Sequence, residues 1–491
     1  MSMLERGIEW VRRYSVPDQG IVITSSQGIC YPEVTGYFIP TLLSVGERDL
    51  AVRYARWLRQ VQRPDGSFAG AGSATGFVFD TGQVVRGWVE LVEQNAEFEE
   101  PLRRACEWLI QTADPGTGRL CVPEPGGAWS LGRRGEVSEA IHLYALAPLA
   151  RAGRMLNQPR YENFVAKSLG YYLSQVQISD FEQPNALTHF FAYVQEALLD
   201  LDCEDLARAG MDSVGRFQQP NGAVPAYSDV PWICSTGLAQ LAGVWFRLGQ
   251  VERAEAALSF LEPLQNPSGG FFGSYGVGAS YFPAEEISWA VKYAIDAWQR
   301  RISSHFDHTV ADYASTIPLE DGRARAVLDG VGEIGDGRIL DAGCGKGRYS
   351  ALLRQHFSKA RITALDISAE MLRHVPAGIE TVQDGMLKMP FAERSFDAVI
   401  CVEALEHAVL TDVALAELVR VLRPGGRLVI IDKNREKQGA LETESWEEWF
   451  DPEQILQSLH ELGMSAQAEY ISYDQHRKAD GLFICWKGTK R

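Results

Sequence analysis

Residues 338–347, which read RILDAGCGKG, contain a glycine-rich turn of the kind that can bind a ligand. Its apolar start predicts a buried strand, and a helix is expected from about Tyr349 to His356. Glycine has no Cβ, so the backbone can turn sharply and approach a ligand closely. The N–H groups at the start of the following helix favour a phosphate-like or nucleotide-like ligand. A G-x-G-x-G turn alone is a weak signal, because many nucleotide-binding folds contain one.

Two acidic residues follow the turn at the ends of further predicted strands. The strand predicted over 360–366 ends in Asp366, 25 residues after Asp341. A βαβ unit places an acid on a ribose diol at about that distance. A short strand then precedes Asp384, and buried strands are predicted over 395–401 and 427–431. This order of strands and helices favours an α/β fold with a largely parallel sheet.

The region from about His305 to Arg491 resembles class I S-adenosylmethionine-dependent methyltransferases. The resemblance implies a Rossmann-like α/β fold with a seven-stranded sheet and S-adenosylmethionine as the cofactor. An acid on a ribose diol fits NAD equally well, so the resemblance, and not the acid, selects the methyl donor. The motifs that carry it are the glycine turn, 365–372 (LDISAEML), Asp384, Phe396-Asp397, Glu406-His407 and 422–426 (LRPGG).

The resemblance implies roles for the residues of the turn and of the next strand. Asp341, Gly343, Gly345 and Gly347 would line the amino-acid and ribose end of the cofactor. Asp366 would accept hydrogen bonds from both ribose hydroxyl groups.

Two further residues receive roles on the same grounds. Asp384 would contact the adenine amino group. Residues 305–313 resemble the N-terminal helix that many methyltransferases fold over the cofactor. Tyr313 would cover the methionine end, or else serve in packing.

In related methyltransferases, the segment 403–407 faces the transferred methyl group. His407 is the first candidate for a general base that takes a proton from a hydroxyl nucleophile, since its ordinary pKa of about 6.5 suits that task. Glu403 is the second candidate. The alternative is that Glu406 and His407 shape the cofactor pocket without transferring a proton. The polar segment 432–449 is expected to set acceptor specificity.

Residues 1 to about 300 predict helices that repeat. Three helices end in the motif Gln-x-Pro-x-Gly, at 62–66, 218–222 and 265–269. With weaker copies near Gln111 and Gln175, the interval is roughly 45 to 65 residues, the length of a helix hairpin. Such hairpins bury their apolar faces by stacking, and about six of them close into a ring. The pattern resembles the (α/α) toroids of terpene cyclases, protein prenyltransferases and several glycan hydrolases, lyases and epimerases.

The candidate ligand residues of this toroid combine an acid or a histidine with an aromatic residue. Loops before predicted helices carry them; one such helix is expected from about Ile39. Acids beside aromatic platforms suit a sugar, but the acids would equally cap helices and the aromatics belong to the core. The candidates are Tyr31, Glu33, Asp80, His142, Tyr227, Asp229 and Trp232.

Two sequence patterns bear on the toroid's chemistry. Glu136, Glu139 and His142 share a helix face if that segment is helical, which suits acid–base work and equally a salt-linked surface. The terpene cyclase motifs D-x-D-D and D-D-x-x-D do not occur in the sequence. No HExxH or paired-histidine spacing occurs either, so no metal is predicted.

Composition narrows the class of protein. The chain has 491 residues and a formal net charge of -17, which makes a nucleic-acid backbone a poor partner. The sequence has no run of 18 apolar residues and no apolar core in its first residues, so neither a membrane span nor a secretory signal is predicted. Its eight cysteines form no C-x-x-C pair, which favours reduced thiols in a cytoplasmic enzyme.

The sequence therefore predicts a multidomain protein. An all-α (α/α) toroid is expected over 1–302 and a Rossmann-like methyltransferase domain over 303–491. The predicted reaction is O-methylation of a small-molecule or glycan acceptor, with a saccharide or glycan conjugate held by the toroid as the leading choice. The alternatives are an independent glycan lyase, hydrolase or epimerase in the toroid, and a terpenoid or other small natural product as acceptor. No oligomeric state is predicted.

Overall fold

The computed structural model describes residues 2–70, 73–120, 139–174, 178–182, 187–444, 446–471 and 480–491. By their contacts the residues form two compact units. The first consists mainly of Met3–Leu43 and Glu47–Arg301, and the second of Ser44–Gly46 and Ile302–Arg491. Within the described residues, no helix combines the length and the hydropathy needed to cross a membrane.

The N-terminal unit is helical, as the sequence predicts. Its helices alternate between amphipathic ones and ones buried along nearly their whole length. The amphipathic helices are α1 (Met3–Tyr14), α3 (Arg48–Val61), α5 (Glu99–Thr112), α7 (Pro159–Leu173), α9 (Glu204–Gly215) and α11 (Val251–Leu261). The buried helices are α2 (Pro32–Ser44), α4 (Val78–Val89), α6 (Leu143–Met155), α8 (Thr188–Asp200) and α10 (Ser235–Arg247), and the unit ends within α12 (Ser288–His308). Short strands are β1 (Val22–Thr24), β2 (Gln27–Cys30), β3 (Ile233–Cys234) and β4 (Ser274–Tyr275).

The repeated Gln-x-Pro-x-Gly motif forms hydrogen bonds between one helix hairpin and the next. Nε2 of Gln62 donates to the carbonyl oxygens of Gly66 (3.0 Å) and Pro101 (2.9 Å). Gly66 has φ +93°, and a Cβ there would lie 2.4 Å from the Arg104 carbonyl oxygen, so only glycine permits this approach.

The other two full copies of the motif make the same contacts with other helices. Nε2 of Gln218 donates to Gly222 and to Arg253 of α11. Nε2 of Gln265 donates to Gly269 and to the Met3 carbonyl oxygen of α1. The last copy thus binds the first helix of the unit. The motif is structural, as its helix-stopping residues predict.

The buried helices contact one another in series, α4 with α6, α6 with α8, and α8 with α10. Gly36 of α2 lies so close to α4 that a Cβ would be 2.7 Å from the Gln83 carbonyl oxygen. Oγ1 of Thr41 in α2 donates to Oδ1 of Asp296 in α12 (2.7 Å). These contacts bring side chains of several helices into one interior. That the helices close into a toroid stays a prediction.

The segments that carry the N-terminal candidates are more helical than expected. The helix predicted from about Ile39 begins at Pro32, so Glu33 lies in its first turn. Proline is favoured at a helix start, because its missing N–H has no partner there in any case. Asp80, which the sequence places in a loop, lies within α4. The expectation that both acids precede their helices is therefore wrong.

The second unit contains a seven-stranded sheet in the order β10-β11-β9-β8-β5-β6-β7. Neighbouring pairs among β5 to β9 are parallel, and β11 runs antiparallel to both β9 and β10. The strands are β5 (Arg338–Ala342), β6 (Arg361–Asp366), β7 (Glu380–Gln383), β8 (Phe396–Val402), β9 (Leu422–Lys433), β10 (Met464–Ile471) and β11 (Phe483–Lys490). The helices are α13 (Gly322–Val331), α14 (Arg348–His356), α15 (Ala369–Leu372), α16 (Thr411–Val421) and α17 (Pro452–Glu461).

The sheet topology fixes where a ligand can bind. β5 pairs with β6 on one side and with β8 on the other. The strands after β5 are thus added first on one side of it and then on the other, which makes β5 a topological switch point. Ligands of open α/β sheets bind beyond the carboxyl ends of the strands at such a switch point. The residues that follow β5, β6, β7, β8 and β9 therefore form the candidate site.

Candidate active site

The glycine turn after β5 is held against the end of β6. The backbone N–H groups of Gly343 and Cys344 both donate to the Leu365 carbonyl oxygen, at 2.8 and 2.9 Å. Gly343, Gly345 and Gly347 have φ values of +73°, +52° and +76°, in the left-handed region that favours glycine. A Cβ at Gly343 would lie 2.3 Å from the Ala404 Cβ, whereas a Cβ at Gly345 would meet no atom within 4 Å. The turn therefore presents bare backbone at Gly345.

Asp366, at the end of β6, is bound to this turn. Its Oδ2 accepts a hydrogen bond from the Gly345 N–H (2.7 Å) and its Oδ1 from the Ser368 N–H (2.9 Å). The residue is 8% exposed, and burial raises the pKa of its carboxyl group. A carboxylate has about four lone-pair sites, so two remain for further donors. The Asp366 carboxylate therefore fits a ribose diol.

The other two acids have different surroundings. Asp384 is exposed after β7, and its N–H donates to the Asp366 carbonyl oxygen (3.1 Å), so both acids lie at one sheet edge. Asp341 is buried in β5, where its Oδ2 accepts a hydrogen bond from Oγ of Ser350 (2.6 Å). Burial raises the pKa of Asp341 to about 6. Asp341 thus links β5 to α14, the helix that follows the turn.

The segment that follows Ile302 contacts both the glycine turn and the residues just after Asp366, which together form the cofactor edge expected from the sequence. Oδ1 of Asp307 accepts hydrogen bonds from Oγ of Ser368 (2.6 Å) and from the Glu370 N–H (3.3 Å). Nζ of Lys346, within the glycine turn, donates to the Val310 carbonyl oxygen (2.9 Å). Residues 307–310 therefore join the turn to the segment after Asp366.

Aromatic rings continue from this segment toward His407. The Phe306 ring lies 4.9 Å from the His407 ring and 6.0 Å from the Tyr313 ring, measured between centroids. Tyr313 is 38% exposed. Burial of its hydroxyl group, with the charges of Glu447 and Glu406, raises its pKa to about 12. Tyr313 therefore lies beside the acidic residues near His407.

His407 and Glu406 form a pair just after β8. Nε2 of His407 lies 3.3 Å from Oε1 of Glu406, while Nδ1 is buried and has no hydrogen-bond partner in the part of the chain that the structure describes. Burial favours a raised pKa for Glu406, but hydrogen bonds with His407 and Asp432 and the charge of Lys433 lower the pKa to about 2. Glu406 is therefore ionised and orients the imidazole.

The last residues of β9 complete the cluster. Nζ of Lys433 binds the Glu406 carboxylate and lies 3.1 Å from Oε2 of Glu447. Burial and the charge of Glu406 raise the pKa of Asp432 well above its ordinary value. The cluster thus contains a lysine between two carboxylates, next to an aspartate whose surroundings favour the protonated form of its carboxyl group. Sequence reasoning assigned this segment to acceptor specificity and did not pair Lys433 with Glu406.

A metal ion is the alternative occupant of this cluster. One ligand atom each from Glu406, His407 and Glu447 lie within 4.8 Å of one another. The Lys433 ammonium group already contacts both carboxylates, so the positive charge is supplied by the chain itself. We assign no metal to the cluster, and its absence stays a prediction.

Glu403 is held away from this pair. Its Oε1 accepts hydrogen bonds from Arg323 (2.6 Å) and Arg348 (3.0 Å), which belong to α13 and α14. Glu403 has φ +52°, and Val409 has φ +61°, on the two sides of the turn that carries His407. Such conformations cost on the order of 1–3 kcal/mol each and cluster at functional sites. Because two arginines bind the Glu403 carboxylate, His407 is the better candidate for a general base.

Three of the N-terminal candidates lie together in their own unit. The Tyr31 hydroxyl donates to Oδ2 of Asp80 (2.6 Å), and the charge of Asp80 acts on Glu33. Tyr227 and Trp232 pack with their ring centroids 5.9 Å apart. The candidates therefore form two groups: Tyr31 with the acids Glu33 and Asp80, and the aromatic pair Tyr227 and Trp232.

The remaining N-terminal candidates lie apart or outside the description. Asp229 is exposed. His142 is buried in the 3₁₀ turn Glu139–His142, and burial lowers its pKa to about 4. Glu139 is paired with Arg119. Glu136 lies outside the described residues, so the shared helix face of Glu136, Glu139 and His142 stays a prediction.

Replacement of Asp80 by asparagine is expected to stabilise the protein at pH 8. Burial raises the pKa of Asp80 from 3.8 to about 7, so the folded state binds more protons than the unfolded state between these values. Stability therefore falls as pH rises from about 4 to about 7. Asparagine does not titrate, so the gain should reach up to about 4 kcal/mol at pH 8 and be smaller at pH 5.

Thermal unfolding of the wild type and of Asp80→Asn at pH 5 and pH 8 measures this difference. The exposed Asp49→Asn on α3 is the matched control and should change the melting temperature at neither pH. If Asp80→Asn raised the melting temperature equally at the two pH values, the claim that the buried Asp80 carboxyl group has a raised pKa would be contradicted.

The second unit matches known methyltransferases. Residues 340–430 match the family model described as the methyltransferase domain. The fatty-acid O-methyltransferase of Mycolicibacterium smegmatis is 39% identical over 100 residues, which cover 19% of this chain and 36% of that protein. The malonyl-[acyl-carrier protein] O-methyltransferase of Methylococcus capsulatus is 33% identical over 138 residues, covering 26% and 50%. The chain thus spans about a third to a half of the length of these relatives.

Solved structures give a weaker likeness. Geranyl diphosphate C-methyltransferase from Streptomyces coelicolor A3(2) is 16% identical, with a TM-score of 0.29 over 34% of this chain and 78% of that chain. The family match and the seven-stranded sheet agree on one assignment. The second unit of this chain contains a class I, S-adenosylmethionine-dependent methyltransferase domain.

Proposed function

We propose that this protein transfers a methyl group from S-adenosylmethionine to a hydroxyl oxygen of a small acceptor, with His407 as the general base. The observation that supports this most is the buried, unpartnered Nδ1 of His407, close enough to the cofactor edge for its charge to act on Asp366. A buried nitrogen that accepts no hydrogen bond lowers the stability of the folded protein, unless a ligand supplies the donor. An acceptor hydroxyl is such a ligand.

The residues at the sheet edge fit the cofactor. Asp366 would accept hydrogen bonds from the ribose hydroxyls through its remaining lone pairs. Asp384 would contact the adenine amino group, and the open backbone at Gly345 would leave room for the cofactor. When bound, S-adenosylmethionine supplies a methyl group activated by its sulfonium leaving group. The chain's task is then to position the acceptor and exclude water.

Glu406 and Lys433 would prepare His407 for proton transfer. With Nε2–H donating to Glu406, Nδ1 is the unprotonated nitrogen and can accept the hydroxyl proton. The imidazolium ion that forms would be stabilised by the ionised Glu406, which Lys433 holds in place. A positioned general base contributes typically 10²–10⁴-fold to a rate.

Aromatic side chains support an acceptor with an apolar body. Besides Phe306 and Tyr313, the rings of His305 and Trp446 lie 5.1 Å apart in the same unit. The named relatives act on a fatty acid and on malonyl-[acyl-carrier protein], and none of these names points to a saccharide. We therefore replace the saccharide expected from sequence by a hydroxyl group on an apolar molecule.

We also propose that residues 1–302 form a closed (α/α) toroid and that residues 303–491 form the methyltransferase domain. The support is the cyclic pattern of contacts: Gln265 of the last full repeat binds the carbonyl oxygen of Met3, in the same way that Gln62 binds that of Pro101. A glycan-converting activity of the toroid has no support in the relatives, which match the second unit.

A panel of acceptors that share an octyl chain tests the acceptor class. Transfer of a labelled methyl group should be fastest to 4-octylphenol, at least tenfold slower to octyl glucoside, and slow to octanoate, which has no proton for His407 to remove. The same assay without enzyme, and with enzyme and no acceptor, sets the background. Octyl glucoside as the best acceptor would restore the saccharide assignment, and octanoate as the best would remove the need for a base.

A further inference from the structure

Two buried carboxyl groups face each other inside the N-terminal unit. Glu33 is 6% exposed and Asp80 is fully buried. They belong to α2 and α4, whose backbones meet at Gly36 and Gln83. Neither carboxyl group forms a salt bridge with a cation within the described residues.

The hydrogen bonding of this pair is incomplete. The Tyr31 hydroxyl donates to Oδ2 of Asp80, but Oδ1 is buried without a partner. Oε1 of Gln83, three residues further along α4, is also buried without a partner. Within the described parts of the chain, no hydrogen bond reaches the Glu33 carboxyl group. Buried acceptors in native proteins are nearly always satisfied, so Oδ1 of Asp80 and Oε1 of Gln83 call for a ligand that carries donors.

Aromatic side chains lie close to Glu33. Burial, and then the charge of Glu33, raises the pKa of Tyr37 well above its ordinary value, and Glu33 acts in the same sense on Tyr193 and Tyr281. The Tyr193 ring lies 4.7 Å from the His189 ring, which lies 6.1 Å from that of Tyr281. The faces of such rings attract cations.

The buried cations of this interior already have partners of their own. Nζ of Lys292 lies 3.7 Å from the centroid of the Tyr293 ring and 2.9 Å from Oδ2 of Asp296. Arg86 lies over the Tyr144 ring at 3.8 Å and is paired with Asp200. Each of these cations combines an aromatic face with a carboxylate. Glu33 and Asp80 offer the same combination without the cation.

We propose that the space beside Glu33 and Asp80 is a second ligand site, which takes an organic ammonium ion with an apolar body. Its N–H groups would donate to Glu33, to Oδ1 of Asp80 and to Oε1 of Gln83, and its apolar part would contact the tyrosine rings. A neutral polyol would satisfy the acceptors and leave the charge uncompensated. The site is independent of the methyltransferase activity proposed above.

The proposal predicts a pH dependence with a definite sign. In the free protein, burial raises the pKa of Asp80 to about 7, and burial with the charge of Asp80 raises that of Glu33. A bound cation favours both ionised carboxylates, so binding releases protons and tightens as pH rises from 6 to 8. The groups facing the pair are the hydroxyls of Tyr31, Tyr37, Tyr193 and Tyr281, and the His189 imidazole. Burial raises the pKa of Tyr37, Tyr193 and Tyr281 well above its ordinary value and lowers the pKa of His189 to about 4, so these four groups do not titrate in this range.

Calorimetric titration of the full chain with benzylammonium, which is protonated at both pH 6 and pH 8, tests the site. Benzyl alcohol is the uncharged probe of the same shape. Benzylammonium should bind at least tenfold more tightly at pH 8 than at pH 6, and at least tenfold more tightly than benzyl alcohol at pH 8. An excess of S-adenosylhomocysteine should not displace it.

Variants then locate the binding. Glu33→Gln and Asp80→Asn should each weaken benzylammonium binding at least tenfold, whereas the exposed Asp49→Asn should not. The comparison of the two probes on the wild type needs no variant, so a misfolded variant does not remove the test. Equal binding of benzyl alcohol, no binding of benzylammonium at pH 8, or undiminished binding to the double variant Glu33→Gln, Asp80→Asn would each overturn the proposal.

Discussion

Replacement of His407 by alanine is expected to lower kcat for a hydroxyl acceptor such as 4-octylphenol by about 10²–10³-fold at pH 7. The variant lacks the buried Nδ1 that would accept the hydroxyl proton. The KM for S-adenosylmethionine should change little, because the cofactor edge at Asp366 is intact. Initial rates of labelled methyl transfer measure both quantities.

A high-pH measurement separates a base from a structural residue. Phenols ionise with a pKa of about 10, so the acceptor loses its own proton in alkaline solution and no longer needs the imidazole. The defect of His407→Ala should therefore shrink steeply between pH 7 and pH 10. The exposed His374→Ala in the same unit is the control and should keep the wild-type rate. A rate defect that is constant with pH would assign His407 a packing role instead.

Replacement of Asp366 by alanine is expected to weaken cofactor binding by at least about 100-fold. Hydrogen bonds to a charged group contribute roughly 1.5–3 kcal/mol each, and the loss of two such bonds to the ribose diol corresponds to roughly 10²–10⁴-fold in affinity. The change also removes the carboxylate that receives the N–H groups of Gly345 and Ser368. Calorimetric titration with S-adenosylhomocysteine measures the loss.

The control for this variant must show that the domain stays folded. Asp336→Ala, at an exposed position just before β5, removes an equal charge from the same unit and should bind as the wild type does. Circular dichroism spectra that agree among the three proteins would confirm the fold. Wild-type affinity in a folded Asp366→Ala protein would remove Asp366 from the cofactor site.

The local parts of the cofactor edge could be predicted from the sequence. The strand, the turn and the helix around Gly343, Gly345 and Gly347 are adjacent in the chain, and their positive φ values require glycine. The acid at the end of the next strand follows from the βαβ spacing. The residue spacing did not predict that Asp341 is buried and accepts a hydrogen bond from Ser350. That contact depends on how α14 packs against β5, which the sequence pattern does not specify.

The cluster around His407 and the pair inside the N-terminal unit depend on tertiary packing. Lys433 meets Glu406 from 27 residues away, because β9 pairs with β8 and both end at the same sheet edge. Glu33 and Asp80 meet because Gly36 allows α2 to approach α4 closely. The sequence pattern predicted that both acids lie in loops. A pattern of residues along one segment does not predict which two helices approach each other closely.

A crystal structure of the full chain with S-adenosylhomocysteine tests the central claim most directly. The account predicts both ribose hydroxyl oxygens within about 3 Å of the Asp366 carboxylate, the adenine amino group beside Asp384, and the sulfur atom on the side of His407 Nδ1. A nucleoside bound away from the ends of β5 and β6, with Asp366 contacting only Gly345 and Ser368, would contradict it.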